Sequence, residues 1–196
     1  MKNIDWNSKD AVIKAVQQNE MSLYFASERL RDDKDVVMAA VQQNGMSLYF
    51  ASERLRDDKD VVMAAVHQIG TALYFASDEL RNDKDVVLKA VQQNGMSLYF
   101  ASERLRDDKD VVMAAVHQYE WALIYASKEL RDDFASLYVS PRLKQDQDIQ
   151  KAAGLEPDIK QEPEKPDIDM VLGDAKKWCQ KHNDIQTAQP QHNIER

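Results

Sequence analysis

The sequence predicts an all-α protein in which tandem 25-residue helix–turn–helix repeats stack as a short α-solenoid. The 196-residue chain carries five successive copies of one segment, and residues 41–66 are identical to residues 91–116. Within each copy the apolar residues recur with the period of an α-helix. Glycine and proline number only five each, too few for the many turns of an all-β fold.

The first half of each copy predicts one α-helix, which reads DVVMAAVQQNG in the second copy. The five copies begin at Asp10, Asp35, Asp60, Asp85 and Asp110. Apolar side chains fall on one helical face, which in the second copy consists of Val36, Val37, Ala40 and Val41. A run of valines is also compatible with a strand, but the alanines and the flanking capping residues favour a helix.

Polar residues and glycines frame this helix. Asp32, three residues before Asp35, predicts an N-cap in a variant of the capping box. The equivalent positions hold Asn7, Asp57, Asn82 and Asp107. Gly45, Gly70 and Gly95 stand where the helix must stop, and they predict a left-handed residue just beyond its C-terminus.

The second half, MSLYFASERLRDDK in three of the copies, predicts a second helix. Leu48, Ala51, Ser52 and Leu55 follow helical spacing, while Tyr49 and Phe50 point to two other sides. Such a helix has to be buried on several sides, which a stack of repeats provides. Helices of about 10–12 residues are marginal alone, so each repeat must be stabilised by its neighbours.

The domain organisation follows from where the pattern begins and decays. We predict an N-terminal cap over residues 1–9 and five repeats over 10–133, divided into 10–34, 35–59, 60–84, 85–109 and 110–133. A degenerate capping repeat follows over 134–153. Prolines and charges predict a flexible linker over 154–168. Residues 169–196 predict a short helix and a disordered tail.

Composition limits the partners and the location. The net charge of −8 argues against nucleic acid and against anionic membrane surfaces. One cysteine, Cys179, permits no intramolecular disulfide, which fits a reducing compartment. The N-terminus has no apolar signal-peptide region, and no apolar run reaches the ~20 residues of a membrane span. We therefore expect a cytoplasmic protein, or one exported without a Sec signal peptide, including export into a host cell.

The exposed side of the first helices predicts a partner-binding ridge of amide and imidazole side chains. Its first row is Gln17, Gln42, His67, Gln92 and His117, and beside it run Gln18, Gln43, Gln68, Gln93 and Gln118. A ridge that repeats in register could bind an extended partner. A solvated face without a partner is the alternative interpretation, because the alternation of Gln and His also follows from a two-repeat duplication.

Two further rows recur once per repeat. Tyr24, Tyr49, Tyr74 and Tyr99 form either a recognition strip or, as we favour, a row packed between repeats with its hydroxyls at the rim. Arg31, Arg56, Arg81, Arg106 and Arg131 are expected to pair locally or to lie near the carbonyl end of a helix. The neighbouring aspartates disfavour a phosphate-binding stripe.

No catalytic, cofactor or metal site is predicted. His67 and His117 lie two repeats apart, roughly 20 Å at the spacing of packed helices, so they cannot share an ion whose ligands lie ~2 Å away. Cys179 and His182 form a C-x-x-H pair with too few further ligands. The paired carboxylates recur at every turn, whereas an active site is normally singular, so they favour capping over acid–base catalysis.

The repeat V-x-x-A-V-x-x-N-G-x-x-L-x-x-A-S-x-x-L-R-x-D-x-x-V-V, seen over 37–62 and 87–112, resembles the family known as domain of unknown function 4116. The resemblance covers about residues 10–133 and implies an all-α repeat fold. It brings no established activity, so no functional residue is carried over. The family occurs in protists and in intracellular bacteria, including Legionella-type effector producers. The polar tail, with Ile194 third from the end, resembles the C-terminal export signal of type IV secreted effectors.

These observations predict a non-enzymatic protein–protein interaction scaffold, with secretion as a bacterial effector as one form of that role. The alternative is an enzyme with an unrecognised site involving the C-terminal tail. A third hypothesis, RNA recognition with one base per repeat, would need basic grooves. We expect a protein partner, and neither nucleic acid, membrane nor small-molecule cofactor.

Overall fold

The computed structural model describes residues 4–137, without the side chains of residue 20 and of residues 134–137. Within that range the chain is all helical, and five repeats stack on one another, as predicted. Each repeat begins with an α-helix of ten residues, here called its first helix. The first helices of repeats 1 to 5 are Lys9–Gln18, Lys34–Gln43, Lys59–Gln68, Lys84–Gln93 and Lys109–Gln118.

The second half of each repeat differs from the predicted single helix. A 3-10 helix comes first, over Glu20–Phe25, Gly45–Phe50, Gly70–Phe75, Gly95–Phe100 and Glu120–Tyr125. A short α-helix follows in repeats 1 to 4, over Glu28–Arg31, Glu53–Arg56, Asp78–Arg81 and Glu103–Arg106. In repeat 5 the corresponding helix continues over Lys128–Leu137.

An inter-repeat hydrogen bond explains this break. Ala51 has an extended backbone with φ −69° and ψ 156°, which ends the 3-10 helix. The next residue, Ser52, donates its N–H to the carbonyl of Arg31 in the preceding repeat at 3.0 Å. The same bond recurs at every junction, from Ser27 to Trp6, Ser77 to Arg56, Ser102 to Arg81 and Ser127 to Arg106. A continuous helix would need that N–H within its own hydrogen-bond pattern.

The N-caps lie one residue later than predicted. The Asp33 carboxylate accepts hydrogen bonds from the N–H groups of Asp35 and Val36, so Asp33 caps the first helix of repeat 2. Asp58, Asp83 and Asp108 do the same in repeats 3 to 5, and Ser8 caps repeat 1. Asp32 ends the preceding short helix instead, with its N–H bonded to the carbonyl of Glu28.

The glycines are also placed for another reason than predicted. None of Gly45, Gly70 and Gly95 has the positive φ of a left-handed residue. Each lies against the first helix of the next repeat, where a Cβ atom would overlap the carbonyl oxygen of Ala65, Ala90 or Ala115 respectively. Glycine is therefore required by a close approach between backbones.

The core is a continuous apolar layer between the two halves of the repeats. Val36, Val37, Ala40 and Val41 are fully buried in repeat 2, and their equivalents in repeats 3 and 4 are too. Leu48, Leu73 and Leu98 on the 3-10 helices are also fully buried. Because most of this surface is covered by neighbouring repeats, hydrophobic burial stabilises the stack as a unit.

Several predictions fall on residues outside the described range. They concern most of the degenerate repeat, the linker, the C-terminal helix and tail, and the Cys179–His182 pair, and the predicted domain limits stay predictions. Among residues 4–137, no helix combines the length and the apolar character that crossing a membrane requires.

Candidate interaction surfaces

Ion pairs hold successive first helices in register. Lys34, at the start of one first helix, binds the carboxylates of Asp58 at 2.8 Å and Asp60 at 2.9 Å on the next. Lys9, Lys59 and Lys84 repeat this arrangement with Asp33 and Asp35, Asp83 and Asp85, and Asp108 and Asp110. These lysines and aspartates therefore stabilise the stack, which leaves them little freedom to bind a partner.

The hydrogen bonds at these ion pairs shift the pKa of both partners. The hydrogen bonds that Lys34 donates to Asp58 and Asp60 raise its pKa. Partial burial alone would raise the pKa of Asp58, but the bonds from Lys34 and from the N–H groups of Val61 and Asp60 outweigh it, and the pKa is lowered. The charged form of each partner is thus the one that the folded state stabilises.

A second set of polar bonds crosses the junctions near the short helices. The Ser52 hydroxyl donates to the Asp32 carboxylate, and Arg54 binds the same carboxylate through Nε at 2.9 Å and the Asp32 carbonyl through Nη2 at 2.6 Å. Arg104 binds Asn82 in the same way at 2.8 and 2.6 Å. The bonds from Ser52 and Arg54 lower the pKa of Asp32.

The arginine bonds alternate along the stack, whereas the serine bonds recur at four successive junctions. Ser77 donates to Asp57 at 2.5 Å and Ser127 to Asp107 at 2.5 Å, as Ser52 and Ser102 do at their own junctions. Repeats 3 and 5, however, have Glu79 and Glu129 at the position of Arg54. Two of the junctions therefore place a second carboxylate where the others place a guanidinium.

An aromatic ladder runs along the 3-10 helices. Tyr49 packs on Phe50 of its own repeat with ring centroids 5.0 Å apart and on Phe75 of the next repeat at 5.2 Å. Tyr24, Tyr74 and Tyr99 bridge successive repeats likewise, and Trp6 extends the ladder to Phe25 at 5.1 Å. The tyrosines do pack between repeats, as favoured above, and Tyr49 remains 43% exposed.

The predicted ridge lies on the exposed side of the first helices. All of its first-row members, Gln17, Gln42, His67, Gln92 and His117, are exposed, and so are Gln43, Gln68 and Gln93. Gln93 has a structural role, because its amide oxygen accepts from Gly70 N–H at 2.6 Å and its amide nitrogen donates to the Gln68 carbonyl at 3.2 Å.

An apolar row that the sequence did not single out borders this ridge. It lies four residues before the first row and consists of Ile13, Met38, Met63, Leu88 and Met113. The first four are half-buried and Met113 is 40% exposed. The sequence contains the signal for this row, because residues four apart in an α-helix lie on the same side, and here that is the side of the ridge.

The arginine row lies beside the aromatic ladder. Arg131 Nη1 donates to the carbonyls of Ile124 and Ala126, at the end of a 3-10 helix, as expected for a position near carbonyl groups. Arg56 and Arg81 pair with Glu53 and Asp78 of their own short helices. In the part of the chain that the structure describes, Arg31 and Arg106 have no ion pair, and they lie in the last turn of their short helices, which is the second of the two predicted alternatives.

The described residues contain no group of three or more His, Cys, Asp or Glu side chains placed to hold a metal ion. His67 and His117 are exposed on repeats 3 and 5. The polar chemistry between residues 4 and 137 is thus devoted mainly to capping and to joining repeats.

Comparison with known families supports the repeat architecture. The sequence model described as "Domain of unknown function (DUF4116)" matches residues 8–56, 38–81, 58–106 and 83–131. Together these matches cover more than half of the chain, and the longer ones each span about two of the 25-residue repeats. A search of the curated proteins finds no match, and a search of the solved structures finds none either.

Proposed function

This chain belongs to the DUF4116 family, and we propose that its repeat stack is a non-enzymatic scaffold that binds a partner protein. One observation carries the proposal. The valines, alanines and leucines of each repeat are buried between neighbours, while the first helices and the 3-10 helices each keep a row of partly exposed apolar or aromatic side chains. Repeat stacks commonly use such continuous surfaces for binding.

The composition of these rows supports the proposal. Tyrosine, methionine and arginine are enriched in protein–protein interfaces. The arginine row recurs in all five repeats, the tyrosine row in repeats 1 to 4, and the apolar row of the first helices has methionine in repeats 2, 3 and 5. Variation between repeats falls mainly on exposed positions, as in the change from Gln42 to His67, whereas the buried valine at the position of Val37 is the same in all five repeats. Such a chain keeps its core constant while its surface differs from repeat to repeat.

Affinity capture with the full chain, followed by a binding titration, tests this proposal. We expect a protein retained from lysate to bind the purified chain saturably and with fixed stoichiometry. Binding should weaken when exposed residues of one face are changed, as in Q42A/Q92A for the ridge or Y49A for the aromatic ladder. If no retained protein binds saturably, or if neither face affects the affinity, the scaffold proposal fails.

The place where the scaffold acts is part of the same proposal. It acts in the cytoplasm of the producing cell or, after export without a Sec signal peptide, as an effector in a host cell. A reporter fusion that reports delivery into host cytoplasm distinguishes the two.

A further inference from the structure

We infer that residues 146–153 of this chain dock on the end of repeat 5 as a sixth first helix. These residues lie outside the described range, and they are identified by their sequence. The surface that receives them is here called the C-terminal end surface, and it consists of Lys109, Met113, Val116 and Tyr119. This docking is independent of the proposed binding of a partner protein.

One lysine of the stack lacks the carboxylates that its equivalents bind. Two aspartates of the next repeat, separated by one residue, bind each of the equivalent lysines at 2.7–3.2 Å, and these lysines are Lys9, Lys34, Lys59 and Lys84. Lys109 occupies the same position in repeat 5, is exposed, and has no ion pair with any residue that the structure describes. The end of the stack therefore presents a cation that a D-x-D segment binds at the four junctions before it.

The apolar side chains at this end are less buried than their equivalents. Val116 is half-buried, whereas the valines at its position in repeats 1 to 4 are fully buried. Met113 is 40% exposed, and Tyr119, which follows the first helix, is 42% exposed. The difference arises because a described first helix follows each of repeats 1 to 4 and none follows repeat 5. Covering this surface would be favourable, because it removes apolar area from water.

The sequence beyond the described range contains a segment with the required pattern. Residues 146–153 read DQDIQKAA, against DKDVVMAA at residues 108–115 of repeat 5. Asp146 and Asp148 match the two aspartates that bind the lysine of the preceding repeat. At the point where a regular sixth repeat would begin, residues 133–135 read DFA and lack the second aspartate. The matching pair of carboxylates is thus shifted along the chain to the segment 146–153.

The apolar residues of the segment fall on the side of a first helix that meets the preceding repeat. Ala11, which no complete repeat precedes, is half-buried, whereas the valines at its position in repeats 2 to 5 are fully buried. One turn later, Ala65 approaches Gly45 of the preceding repeat through its carbonyl group. Ile149 and Ala153 hold these two positions in the segment. A docked segment would therefore cover the C-terminal end surface with apolar side chains.

The polar residues of the segment fall on the other sides of the helix. Gln150 and Lys151 match Val112 and Met113. Val112 is fully buried although no described first helix follows its repeat, so its side meets the second half of its own repeat. Residues 154–166 contain three prolines and do not match such a second half. A final first helix without it leaves these two sides in water, where glutamine and lysine are well solvated.

A second D-x-D segment of the chain does not fit the same surface. Residues 167–174 read DIDMVLGD, so Asp174 takes the place of the alanine that approaches the preceding repeat. The alanines at that position in repeats 2 to 5 are fully buried. Burying an unpaired carboxylate there would cost more than exposed ion pairs contribute. The charge pattern and the apolar pattern therefore coincide in residues 146–153.

The chain is long enough to bring the segment to this surface. The last described helix ends at Leu137, six residues beyond Arg131, which adds about 9 Å of helix. Nine residue steps lead from Leu137 to Asp146, and an extended chain of that length spans about 30 Å. This reach exceeds the added helix length together with the roughly 10 Å between packed helices.

Glu120 does not prevent this docking. It occupies the position of Gly45, where the next first helix approaches closely. Repeat 1 has Glu20 at the same position, and repeat 2 still stacks on it, with Lys9 bound to both aspartates of repeat 2 at 2.8 and 2.7 Å. The first junction of the stack thus shows that a first helix can dock beside a glutamate.

Zero-length cross-linking of the full chain tests the docking directly. A carbodiimide joins a carboxylate to an amine when the two are in contact, and mass spectrometry of the digest identifies the joined residues. We expect a link from Lys109 to Asp146 or Asp148 within one chain. The link from Lys34 to Asp60, whose charged atoms are 2.9 Å apart, is the internal control. Absence of the Lys109 link from a sample that contains the control link would overturn the inference.

Mixed isotope labelling identifies the occupant of the surface. An equal mixture of heavy-isotope-labelled and unlabelled chains gives links of mixed mass only where two copies are joined. We expect the links at Lys109 to join residues of the same mass label. Links of mixed mass, whether to Asp10 or to Asp148, would overturn the inference, because a second copy would then cover the surface.

Paired variants test whether the contact stabilises the stack. D146N/D148N removes both carboxylates, while asparagine keeps the capacity to cap a helix. D167N/D169N makes the same change of charge in the other D-x-D segment. We expect D146N/D148N to lower the melting temperature by about 2–4 °C and the control to lower it by less than about 1 °C.

The same variants are then compared in the K109Q background. D146N/D148N should have no further effect there, because the ion pair is already absent. Thermal unfolding followed by circular dichroism measures each protein. An equal shift in the two aspartate variants, or an undiminished effect of D146N/D148N in K109Q, would overturn the inference.

Discussion

Gly45 lies so close to Ala65 of the next repeat that a Cβ atom on the glycine would overlap the carbonyl oxygen of the alanine. The same contact joins Gly70 to Ala90 and Gly95 to Ala115. Since a backbone carbonyl cannot rotate away as a side chain can, the two repeats must separate or shift to admit any larger residue. The glycine therefore sets the distance between repeats.

We predict that G45A destabilises the stack. Replacing glycine by alanine reduces the conformational entropy of the unfolded chain, which alone would raise the free energy of unfolding by about 0.4–1 kcal/mol. Overpacking against the Ala65 carbonyl typically lowers it by about 1–3 kcal/mol, so the net effect should be a lower melting temperature. E120A, at the equivalent exposed position of repeat 5, is the matched control and should be nearly neutral. Thermal unfolding followed by circular dichroism measures both.

The variant G45N distinguishes close approach from a left-handed backbone. Asparagine tolerates the left-handed conformation, so it would be milder than alanine if positive φ were the reason for glycine. Its larger side chain should instead make it at least as damaging as alanine. A melting temperature for G45N well above that of G45A would contradict the contact.

Asp58 and Asp57 allow the corrected N-cap to be tested. D58A removes two hydrogen bonds to the start of the first helix of repeat 3, and the loss of this cap should cost about 0.5–2 kcal/mol. D58A also removes the ion pair with Lys34, so it is compared in the K34Q background, where that pair is already absent. D57A removes only the bond from Ser77 at a junction where no arginine binds the aspartate, so it should cost less. Urea unfolding of the two variants compares them. A larger effect of D57A would restore Asp57 as the cap.

How far the sequence predicted the fold depends on whether the determining interactions are local. The buried face of the first helix, with Val36, Val37 and Ala40, could be predicted because helical periodicity is a property of the segment itself. The break at Ala51 could not, because the bond from Ser52 to Arg31 of the previous repeat decides it. Two adjacent aspartates, Asp32 and Asp33, are both good caps in sequence, and only the geometry separates them.

The candidate surfaces follow the same rule. Exposure of Gln42 and His67 was predictable from the helical face on which they lie. The role of Gln93 was not, because its bond to Gly70 depends on how closely two repeats approach. The unpaired state of Arg31 was equally hidden, since Glu28 is near in sequence and yet forms no ion pair with it among the described residues.

The lysine–aspartate pairs predict how stability depends on pH. Asp33, Asp58, Asp83 and Asp108 have pKa values below the ordinary 3.8, so their contribution is complete above that pH and is lost as pH falls through the lower folded values. The lysines have pKa values above 10.5, so their contribution is complete below that pH and is lost as pH rises through the higher folded values. Between these two limits, the contribution of these pairs to the melting temperature should not change with pH.

Removing two of the lysines tests whether the lysine–aspartate pairs cause the loss of stability in acid. In K34Q/K59Q the pKa values of Asp58 and Asp83 should move back up towards the ordinary value, so the loss of stability in acid should become shallower. K14Q/K89Q is the control, because these lysines have no ion pair with a described residue. Melting temperatures measured from pH 2 to pH 7 compare the three proteins. An acid limb of unchanged steepness in K34Q/K59Q would remove the pairs as its cause.

The alternation of junctions predicts that stability can be gained at Glu79. Arg54 and Arg104 each bind across their junctions, whereas Glu79 occupies the same position opposite Asp57. E79R should replace a like-charge neighbour with an ion pair and a bond to the Asp57 carbonyl, a gain of up to about 1 kcal/mol for an exposed pair. The gain should shrink in high salt, because exposed charges are screened. E103R changes an exposed glutamate that has no ion pair with a described residue, and it controls for the change in net charge. If E103R raised the melting temperature as much as E79R, the effect would come from overall charge and the junction would contribute nothing specific.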